Sequence, residues 1–380
     1  MTEVVHIAAL GIVTGRAALP TLTGPSPAHR FVEEEDVKAV QYRRTGDSSV
    51  LELVDRPVPE VSKGEVRVRI VVSGVNPTDW KSRAGSGSSD EFDTPKVPNQ
   101  DGAGFVDAIG DDVEHVRVGD PVWVWDAAWQ RDDGTAQEYV VLPEYQVVPL
   151  PDEALLDVGA SVGIPALTAH RALTASETLP DRLAPASLHG RTILVTGGAG
   201  AVGHAAIQLA AWAGATVITT VSSDEKAALA RAAGAHHIIN YRTEDVAARV
   251  RDIAAGGVDV IVDVNPYANL EADLAVIAPS GTISLYATDS SEPLAVPFRE
   301  SMVKNIRFQF ILTYTTTSTQ KQNAVDAVSD AIADGALAVG EEAGLPLHRF
   351  ALAETAQAHD AVENNTVGKV LIDVTQKENR

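Results

Sequence analysis

The stretch TILVTGGAGAVG at Thr192–Gly203 constrains the fold of this chain more than any other segment. Its first residues are apolar and predict a short strand that is buried on both faces. Its glycines form the pattern G-x-G-x-x-G and are Gly198, Gly200 and Gly203. A run of helix-forming residues, His204–Ala213, comes next, and Thr216–Val221 is a second apolar run. Strand, glycine turn, helix and strand in this order give the motif the context that a dinucleotide site requires.

Each glycine of such a turn has a physical task. One permits the tight turn, another lets the backbone approach a pyrophosphate, and a third lets the helix pack closely on the strand. The unpaired amides at the helix N-terminus, with its partial positive charge, then bind the phosphates. The alternative interpretation is an ordinary glycine-rich turn between a strand and a helix.

The end of the second strand indicates which dinucleotide is bound. A site for NAD has Asp or Glu about twenty residues after the glycine turn, where it bonds the ribose hydroxyls. Here Val221 takes that position, and groups that suit a 2′-phosphate follow in Ser222, Ser223 and Lys226. Asp224 argues against a phosphate there, and Ser-Ser-Asp also suits the N-cap of a helix over Glu225–Ala233. The sequence favours NADPH and leaves the capping role open beside it.

The composition excludes several other classes of protein. The chain has 380 residues, 45% of them hydrophobic, which predicts two or three domains with a large core. The net charge of −22 disfavours nucleic acid and anionic membranes as partners, and no apolar run is long enough to span a membrane. The absence of cysteine excludes disulfides, thiolate zinc sites and a cysteine nucleophile. We therefore expect a cytoplasmic enzyme.

The first 36 residues differ from the rest of the chain. They contain Pro20, Pro25 and Pro27, and they end in the acidic run EEED. They lack the basic start and the clear cleavage region of a signal peptide. We expect residues 1–36 to be a poorly ordered extension.

The remainder of the chain shows two patterns. From Val37 onward, short runs with alternating apolar residues, such as Glu65–Val72, predict a small, turn-rich β unit. A helical stretch follows at Asp157–Leu173, and its glycines and proline predict a broken or bent course. From Arg191 onward strands and helices alternate, as they do in a doubly wound parallel sheet, and Lys369–Val374 is a final strand. The predicted fold class is α/β.

Five segments carry a resemblance to a known family: GVNPTDW (74–80), NQDGAG (99–104), GIPALTAHRAL (163–173), GGAGAVG (197–203) and GAHHIINYRTED (234–245). From about Val37 to Val374 the chain resembles medium-chain dehydrogenases/reductases, in the zinc-free branch of NADPH:quinone oxidoreductases that includes zeta-crystallin. The resemblance implies a GroES-like catalytic domain over 37–162 and 315–380 and a Rossmann NADPH-binding domain over 163–314. The cofactor is expected in the cleft between the two domains.

The resemblance also bears on zinc. Zinc alcohol dehydrogenases resemble this chain around two ligand positions, a cysteine and a histidine, which here hold Asn76 and Gln100. Neutral amides are poor zinc ligands, and without a Lewis acid nothing lowers the pKa of an alcohol substrate. Quinones and enones are already electron-poor and accept hydride without a metal. We therefore expect a metal-free reductase of such acceptors.

The resemblance assigns further residues to the cofactor. The pyrophosphate turn is expected at Ala199, Gly200, Ala201, Val202 and Gly203, and Ser222 with its neighbours meets the adenosine phosphate. Other positions that match family contacts are Thr168, Tyr241, Asn269, Tyr286, Ala287 and Thr288. Their ordinary alternatives are packing for Tyr241, a surface helix start for Asn269, and a hydroxyl bonded to its own helix for Thr168.

Asn76 and Lys81 are the candidates for chemistry. Zeta-crystallin-like members often have tyrosine where Lys81 stands, and NPTDWK is closer to enone and alkenal reductases of the same superfamily. A lysine beside the nicotinamide bonds its ribose, polarises the substrate oxygen or donates a proton after hydride arrival. The alternative is a solvated surface lysine. The histidines are expected to be structural, and one or two of the tryptophans of the small domain are candidates for an aromatic wall against a flat substrate.

We expect an NADPH-dependent reductase of a small-molecule quinone or α,β-unsaturated carbonyl, with Asn76 and Lys81 as polarising groups. The alternatives are an enoyl reductase of a biosynthetic pathway and an NADPH-binding sensor or structural protein without turnover. The apolar segment Arg307–Leu312 is expected as the last strand of the Rossmann sheet. A bare edge strand of this kind pairs readily with its copy in a second subunit, so we expect a homodimer.

Overall fold

Strands form three sheets in the computed structural model, which describes residues 36–85, 90–152, 155–288 and 290–375. The predicted extension lies outside the described residues except for Asp36. The strands are β1 (Val37–Arg44), β2 (Glu52–Arg56), β3 (Glu65–Val75), β4 (Glu91–Lys96), β5 (Asp101–Ile109), β6 (Pro121–Val124), β7 (Tyr139–Pro143), β8 (Val147–Pro149), β9 (Thr192–Val195), β10 (Thr216–Val221), β11 (His237–Asn240), β12 (Val258–Asp263), β13 (Ile277–Leu285), β14 (Arg307–Phe310), β15 (Leu347–Ala351) and β16 (Lys369–Asp373). The helices are α1 (Pro77–Ala84), α2 (Leu156–Leu173), α3 (Ala201–Trp212), α4 (Asp224–Ala232), α5 (Val246–Ile253), α6 (Pro266–Val276), α7 (Phe298–Lys304), α8 (Ser318–Ala333) and α9 (Thr355–Glu363).

The largest parallel sheet has the strand order β11-β10-β9-β12-β13-β14. The chain runs outward from β9 to one edge and then outward from β12 to the other, so the order reverses between these two central strands. Both are apolar and buried on both faces, as a parallel sheet covered by helices requires. The crevice at their carboxyl ends is where such sheets bind ligands.

A seven-stranded sheet forms the second large layer, in the order β15-β16-β3-β5-β6-β8 with β7 also paired to β3. A three-stranded sheet has the order β2-β1-β4, and both of its pairings are antiparallel. Strand β16, from the last part of the sequence, pairs antiparallel with β3, so that Val370 lies opposite Val75. The chain therefore returns to the small domain after completing the Rossmann sheet, and the predicted α/β class is confirmed.

Helix α2 connects the two parts, because it packs against β3 and β5 on one side and against α3 and β12 on the other. It is one helix over Leu156–Leu173, whereas the sequence predicted a broken or bent course. Pro165 lies inside it, and the preceding Ile164 donates its amide to the Asp101 carboxylate. The hydrogen bond next to Pro165 thus joins α2 to β5. Since α2 belongs to both cores, the predicted domain boundaries stay predictions.

Three short elements were absent from the sequence prediction: β4, β15 and α7. The predicted helix over Glu225–Ala233 is confirmed as α4, with Ser223 as its N-cap residue. None of the helices in the described part of the chain combines the length and the apolar character that crossing a bilayer requires.

Candidate functional site

A cavity of about 800 Å³ lies where the carboxyl ends of the parallel strands face α1, α2 and the start of β16. It holds most of the predicted site residues: Asn76, Lys81, Thr168, Ala199, Gly200, Ala201, Val202, Ser222, Lys226, Tyr241, Tyr286 and Ala287. Its size and position are those of a small-molecule site. The sequence therefore located residues that the fold brings together from six different segments.

The glycine turn has the geometry that the motif predicts. A Cβ atom on Gly198 would lie 2.1 Å from the Thr219 hydroxyl oxygen, and one on Gly203 would lie 2.4 Å from the Gly197 carbonyl oxygen. A Cβ on Gly200 would meet only the Gly197 carbonyl, at 3.5 Å. Two glycines are thus required by packing, whereas Gly200 is open. Gly203 lies outside the cavity lining, where its lack of a Cβ lets α3 approach the strand, and its predicted contact with the pyrophosphate stays a prediction.

Helix α3 begins at Ala201, one residue after the exposed Gly200, and its first turn has no side-chain cap. Its free amides therefore face the cavity together with the partial positive charge of the helix N-terminus. This arrangement suits a pyrophosphate.

One end of the cavity is lined by Val221, Ser222, Lys226 and Tyr241. The Ser222 hydroxyl and the Lys226 ammonium suit a phosphate monoester. Ser223 lies outside the lining, because its hydroxyl accepts the Lys226 backbone amide at 3.3 Å and caps α4. Ser223 therefore caps α4, as the alternative interpretation predicted. The Lys226 side chain still lines the cavity.

At the middle of the cavity, Thr168 of α2 does not bond its own helix. Its hydroxyl lies 2.6 Å from the hydroxyl of Thr313, which follows β14. Tyr286 and Ala287 line the cavity, whereas Thr288 does not; its hydroxyl donates to the Ser290 carbonyl at 3.1 Å.

Asn269 also lies outside the lining. Its amide donates to the Asp263 carboxylate at 2.6 Å, which ties α6 to the end of β12. The predicted contacts of Asn269 and Thr288 with the cofactor stay predictions.

The other end of the cavity contains a buried polar cluster of Asn76, Asp79, Asp101 and Lys369, which we call the lysine cluster. The Lys369 ammonium donates to the Asn76 amide oxygen at 2.7 Å and lies 3.8 Å from the Asp101 carboxylate. The Asn76 amide nitrogen donates to Asp101 at 2.7 Å, and its backbone amide donates to Asp79 at 2.6 Å. All four side chains are at most 3% exposed. A buried charge is tolerated here because each member has partners.

Burial controls the protonation of the lysine cluster. Burial and, next in size, the nearby Asp101 carboxylate together raise the pKa of Asp79 to about 8. Burial also raises the pKa of Asp101 to about 6, against the opposing effects of Lys369 and Asn76. It lowers the pKa of Lys369, although both carboxylates favour the charged ammonium. At neutral pH the cluster therefore holds a neutral Asp79 beside the Asp101–Lys369 ion pair.

Lys81 lies at the cavity but outside this cluster. It is exposed on α1, and its ammonium is 5.8 Å from the centre of the Trp80 ring. Both interpretations of Lys81 therefore apply in part, because its side chain is exposed to solvent and also lines the cavity.

Sequence reasoning missed Asp79, Asp101, Lys369 and Tyr314 as site residues. All are buried in the structure, and Lys369 and Tyr314 line the cavity. The sequence did contain one signal: Lys369 is the first residue of the largely apolar run KVLID. A charged residue in a buried strand requires a partner. Nothing local in the sequence names that partner.

Two of the buried histidines have partners within the protein framework. His170 accepts the Leu183 amide at 3.3 Å, and His204 bonds the Ala343 carbonyl at 2.8 Å. Within the ranges that the structure describes, no three His, Cys, Asp or Glu side chains are grouped so that they could hold a metal ion. At the two positions that resemble zinc ligands, Asn76 bonds Lys369 and Asp101, and Gln100 accepts the Ala128 amide at 3.0 Å.

Comparisons with known proteins agree with this architecture. Residues 62–152 match the model of the alcohol dehydrogenase GroES-like domain, and residues 201–330 match that of the zinc-binding dehydrogenase. A quinone oxidoreductase of Pseudomonas aeruginosa is 31% identical over 343 residues, which cover 88% of this chain and 99% of that protein.

Two solved structures extend the likeness. A mycobacterial protein in complex with NADPH is 30% identical, with a TM-score of 0.72 over 88% of this chain and 99% of its own. A quinone oxidoreductase of Pseudomonas syringae pv. Tomato DC3000 is 29% identical, with a TM-score of 0.73 over 89% of this chain and 99% of its own. The chain belongs to the quinone oxidoreductase branch of the medium-chain dehydrogenase/reductase superfamily, and it is an oxidoreductase.

Proposed function

We propose that this protein is an NADPH-dependent reductase that transfers hydride to a quinone or an α,β-unsaturated carbonyl without a metal ion. One observation carries the proposal: a single cavity joins the phosphate-binding glycine turn to a buried ammonium group 2.7 Å from the Asn76 amide. Donor and acceptor that share this cavity are held close together and away from water, which is the main requirement of hydride transfer.

The cofactor fits the residues at the first end. Gly200 leaves room where backbone must approach the pyrophosphate, and the free amides of α3 point to the same place. Ser222 and Lys226 bind the 2′-phosphate, and Val221 offers no carboxylate to the 2′-hydroxyl of NADH. The NADPH complex of the mycobacterial relative supports this assignment.

NADPH, when bound, would supply the hydride. The chain itself supplies electrostatic stabilisation: negative charge develops on the acceptor oxygen, and the buried Lys369 ammonium with the Asn76 amide stabilises it. In low-dielectric surroundings this effect is stronger than in water. Lys81, which is exposed, donates the proton that the reduced acceptor needs and recovers one from solvent.

The donor set supports a metal-free reaction. A zinc ion requires Cys, His or carboxylate ligands, but Asn76 and Gln100 present amides that are already bonded within the protein. The Lys369 ammonium is a cation in contact with Asn76, and it would repel a metal ion bound there. These residues do not fit zinc, although part of the chain matches the zinc-binding dehydrogenase model.

The exposed edge of the Rossmann sheet supports a homodimer. Phe310 of β14 is 65% exposed, and the neighbouring α7 exposes Phe298 and Val303. An edge strand with an apolar surface of this kind is suited to pairing with a second copy. The cysteine-free composition is compatible with the cytoplasmic location that we also propose.

Stopped-flow oxidation of NADPH and NADH against quinones, cyclic enones and alkenals tests the proposal. We expect NADPH oxidation with quinones or enones, unchanged by prior treatment with a zinc chelator. Binding of NADPH without reduction of any of these acceptors would favour the sensor or structural alternative. Loss of activity on chelation, restored by zinc, would refute the metal-free reaction.

A further inference from the structure

Tyr314 lies at the acceptor end of the cavity and was not singled out by any sequence motif. It belongs to a 3₁₀ turn, Thr313–Thr315, that follows β14, so it sits at the carboxyl edge of the parallel sheet. Its side chain lines the cavity although the residue is only 7% exposed. The hydrogen bond between Thr313 and Thr168 fixes this turn to α2.

Trp129 supports the Tyr314 ring from the small domain. The two rings are stacked, with centroids 4.5 Å apart and planes inclined by 16°. Trp129 is outside the cavity lining, whereas Tyr314 is part of it. Trp129 therefore covers one face of the tyrosine ring, and the cavity meets the tyrosine from the other side.

The loop that carries Trp129 is held in place by several contacts. Gln100 accepts the Ala128 amide through its side chain and the Ala127 amide, at 3.1 Å, through its carbonyl. Lys321 of α8 bonds the Asp126 carboxylate at 2.6 Å. Gln100, which stands at a position that resembles a zinc ligand, thus anchors the loop that carries Trp129.

The Tyr314 phenol stays neutral in this environment. Its burial raises the pKa well above the ordinary value, and the carboxylates of Asp79, Asp101 and Asp126 act in the same direction. The nearby Thr78 side chain at the start of α1 partly opposes this rise of the pKa. The Tyr314 ring is therefore an uncharged aromatic surface at the cavity, and its electron-rich face suits the electron-poor ring of a quinone.

We propose that Tyr314, supported by Trp129, forms the aromatic wall of the acceptor site and favours planar cyclic acceptors over acyclic alkenals. The inference rests on the function proposed above and deepens it. A rigid ring that is already stacked on one face offers its other face to a flat ligand with little loss of conformational freedom. An acyclic alkenal gains little from such a surface because it has no ring to stack.

Four variants test this wall: Tyr314→Leu, Tyr314→Phe, Trp129→Leu and Trp212→Leu. Trp212 is a matched control, because it is also half-buried but lies at the end of α3 remote from the glycine turn, where it bonds Asp334. We expect Tyr314→Leu to raise KM for a naphthoquinone about tenfold and to change KM for an acyclic alkenal less than about twofold. Trp129→Leu should act in the same direction and more weakly, Tyr314→Phe should restore most of the lost affinity, and the control should match the unmodified protein.

Calorimetric binding of a naphthalenediol, which accepts no hydride, separates this inference from the proposed function. If the protein binds the diol and Tyr314→Leu weakens binding about tenfold, the wall is supported even where no acceptor is reduced. If quinones are reduced but Tyr314→Leu and Trp129→Leu leave both the quinone KM and diol binding unchanged, the wall is refuted. Equal losses for naphthoquinone and alkenal would also refute it, because they indicate general damage to the cavity.

Discussion

Asp79 offers a quantitative test of the lysine cluster. Burial and the neighbouring Asp101 raise its pKa from 3.8 to about 8, so the folded protein holds a proton that the unfolded chain has lost. A carboxyl group of this kind stabilises the fold fully below its unfolded pKa, and the contribution disappears as the pH rises through its folded pKa. Asp79→Asn replaces the neutral acid by an amide of similar shape, which still offers an oxygen to the Asn76 backbone amide.

The magnitude follows from the shift. Between about pH 7 and about pH 9, ionisation of Asp79 should lower the free energy of unfolding of the unmodified protein by about 1.4 kcal/mol. Asp79→Asn has no proton to lose there. Its stability relative to the unmodified protein should therefore increase by about 1.4 kcal/mol across this range. Titrating groups outside the lysine cluster are shared by both proteins and cancel in the difference.

Urea unfolding followed by tryptophan fluorescence at about pH 7, 8 and 9 measures this difference. Infrared spectroscopy provides an independent readout, because the neutral acid of Asp79 should give a carboxylic carbonyl band that is absent in Asp79→Asn. Parallel stability curves, with a constant difference over this pH range, would contradict a proton held by Asp79. So would an infrared difference spectrum between the two proteins that contains no carboxylic carbonyl band, since the band of the buried Asp273 is common to both and cancels.

Three further predictions concern other parts of the molecule. Gly198→Ala should destabilise the protein by about 1–3 kcal/mol because the new Cβ meets Thr219, whereas Gly200→Ala should keep its melting temperature and weaken NADPH binding; equal melting temperatures for both would contradict the packing argument. Lys226→Ala should raise KM for NADPH about 10- to 100-fold, because it removes a charged hydrogen bond to the 2′-phosphate, and it should leave KM for NADH unchanged. A parallel rise of KM for NADH would argue against a phosphate contact. Phe310→Glu should convert a dimer into a monomer in light scattering at micromolar concentration without changing its circular dichroism, and a monomeric unmodified protein would exclude the proposed pairing.

The sequence predicted the Rossmann sheet well because its signals are local. Apolar runs, the glycine turn and helix-forming segments each occupy a few neighbouring residues. Their alternation predicts a doubly wound parallel sheet. The elements that were missed lack such signals. Strand β4, EFDTPK, contains a proline and three charged residues, and it is a strand because it pairs with β1. Its conformation comes from the tertiary structure and not from its own composition.

The candidate site shows the same difference between local signals and long-range contacts. The phosphate end could be predicted because Gly200 and Lys226 belong to one continuous βαβ segment. At the acceptor end, the resemblance indicated Asn76, but Lys369 and Tyr314 were missed because they come from distant parts of the sequence. Their roles depend on distances that only the folded chain defines, such as the 2.7 Å between the Asn76 oxygen and the Lys369 ammonium.

Lys369 follows Asn76 by 293 positions in the sequence, yet the two side chains share a hydrogen bond. During synthesis, Asp79 and Asp101 leave the ribosome long before their counter-ion does. Until β16 arrives, burying the charged Asp101 would leave it without a cation, so the small domain of a nascent chain cannot close over it at low cost. The pocket therefore matures last, after the parallel sheet has formed, and a newly made molecule acquires its reducing activity as one late event.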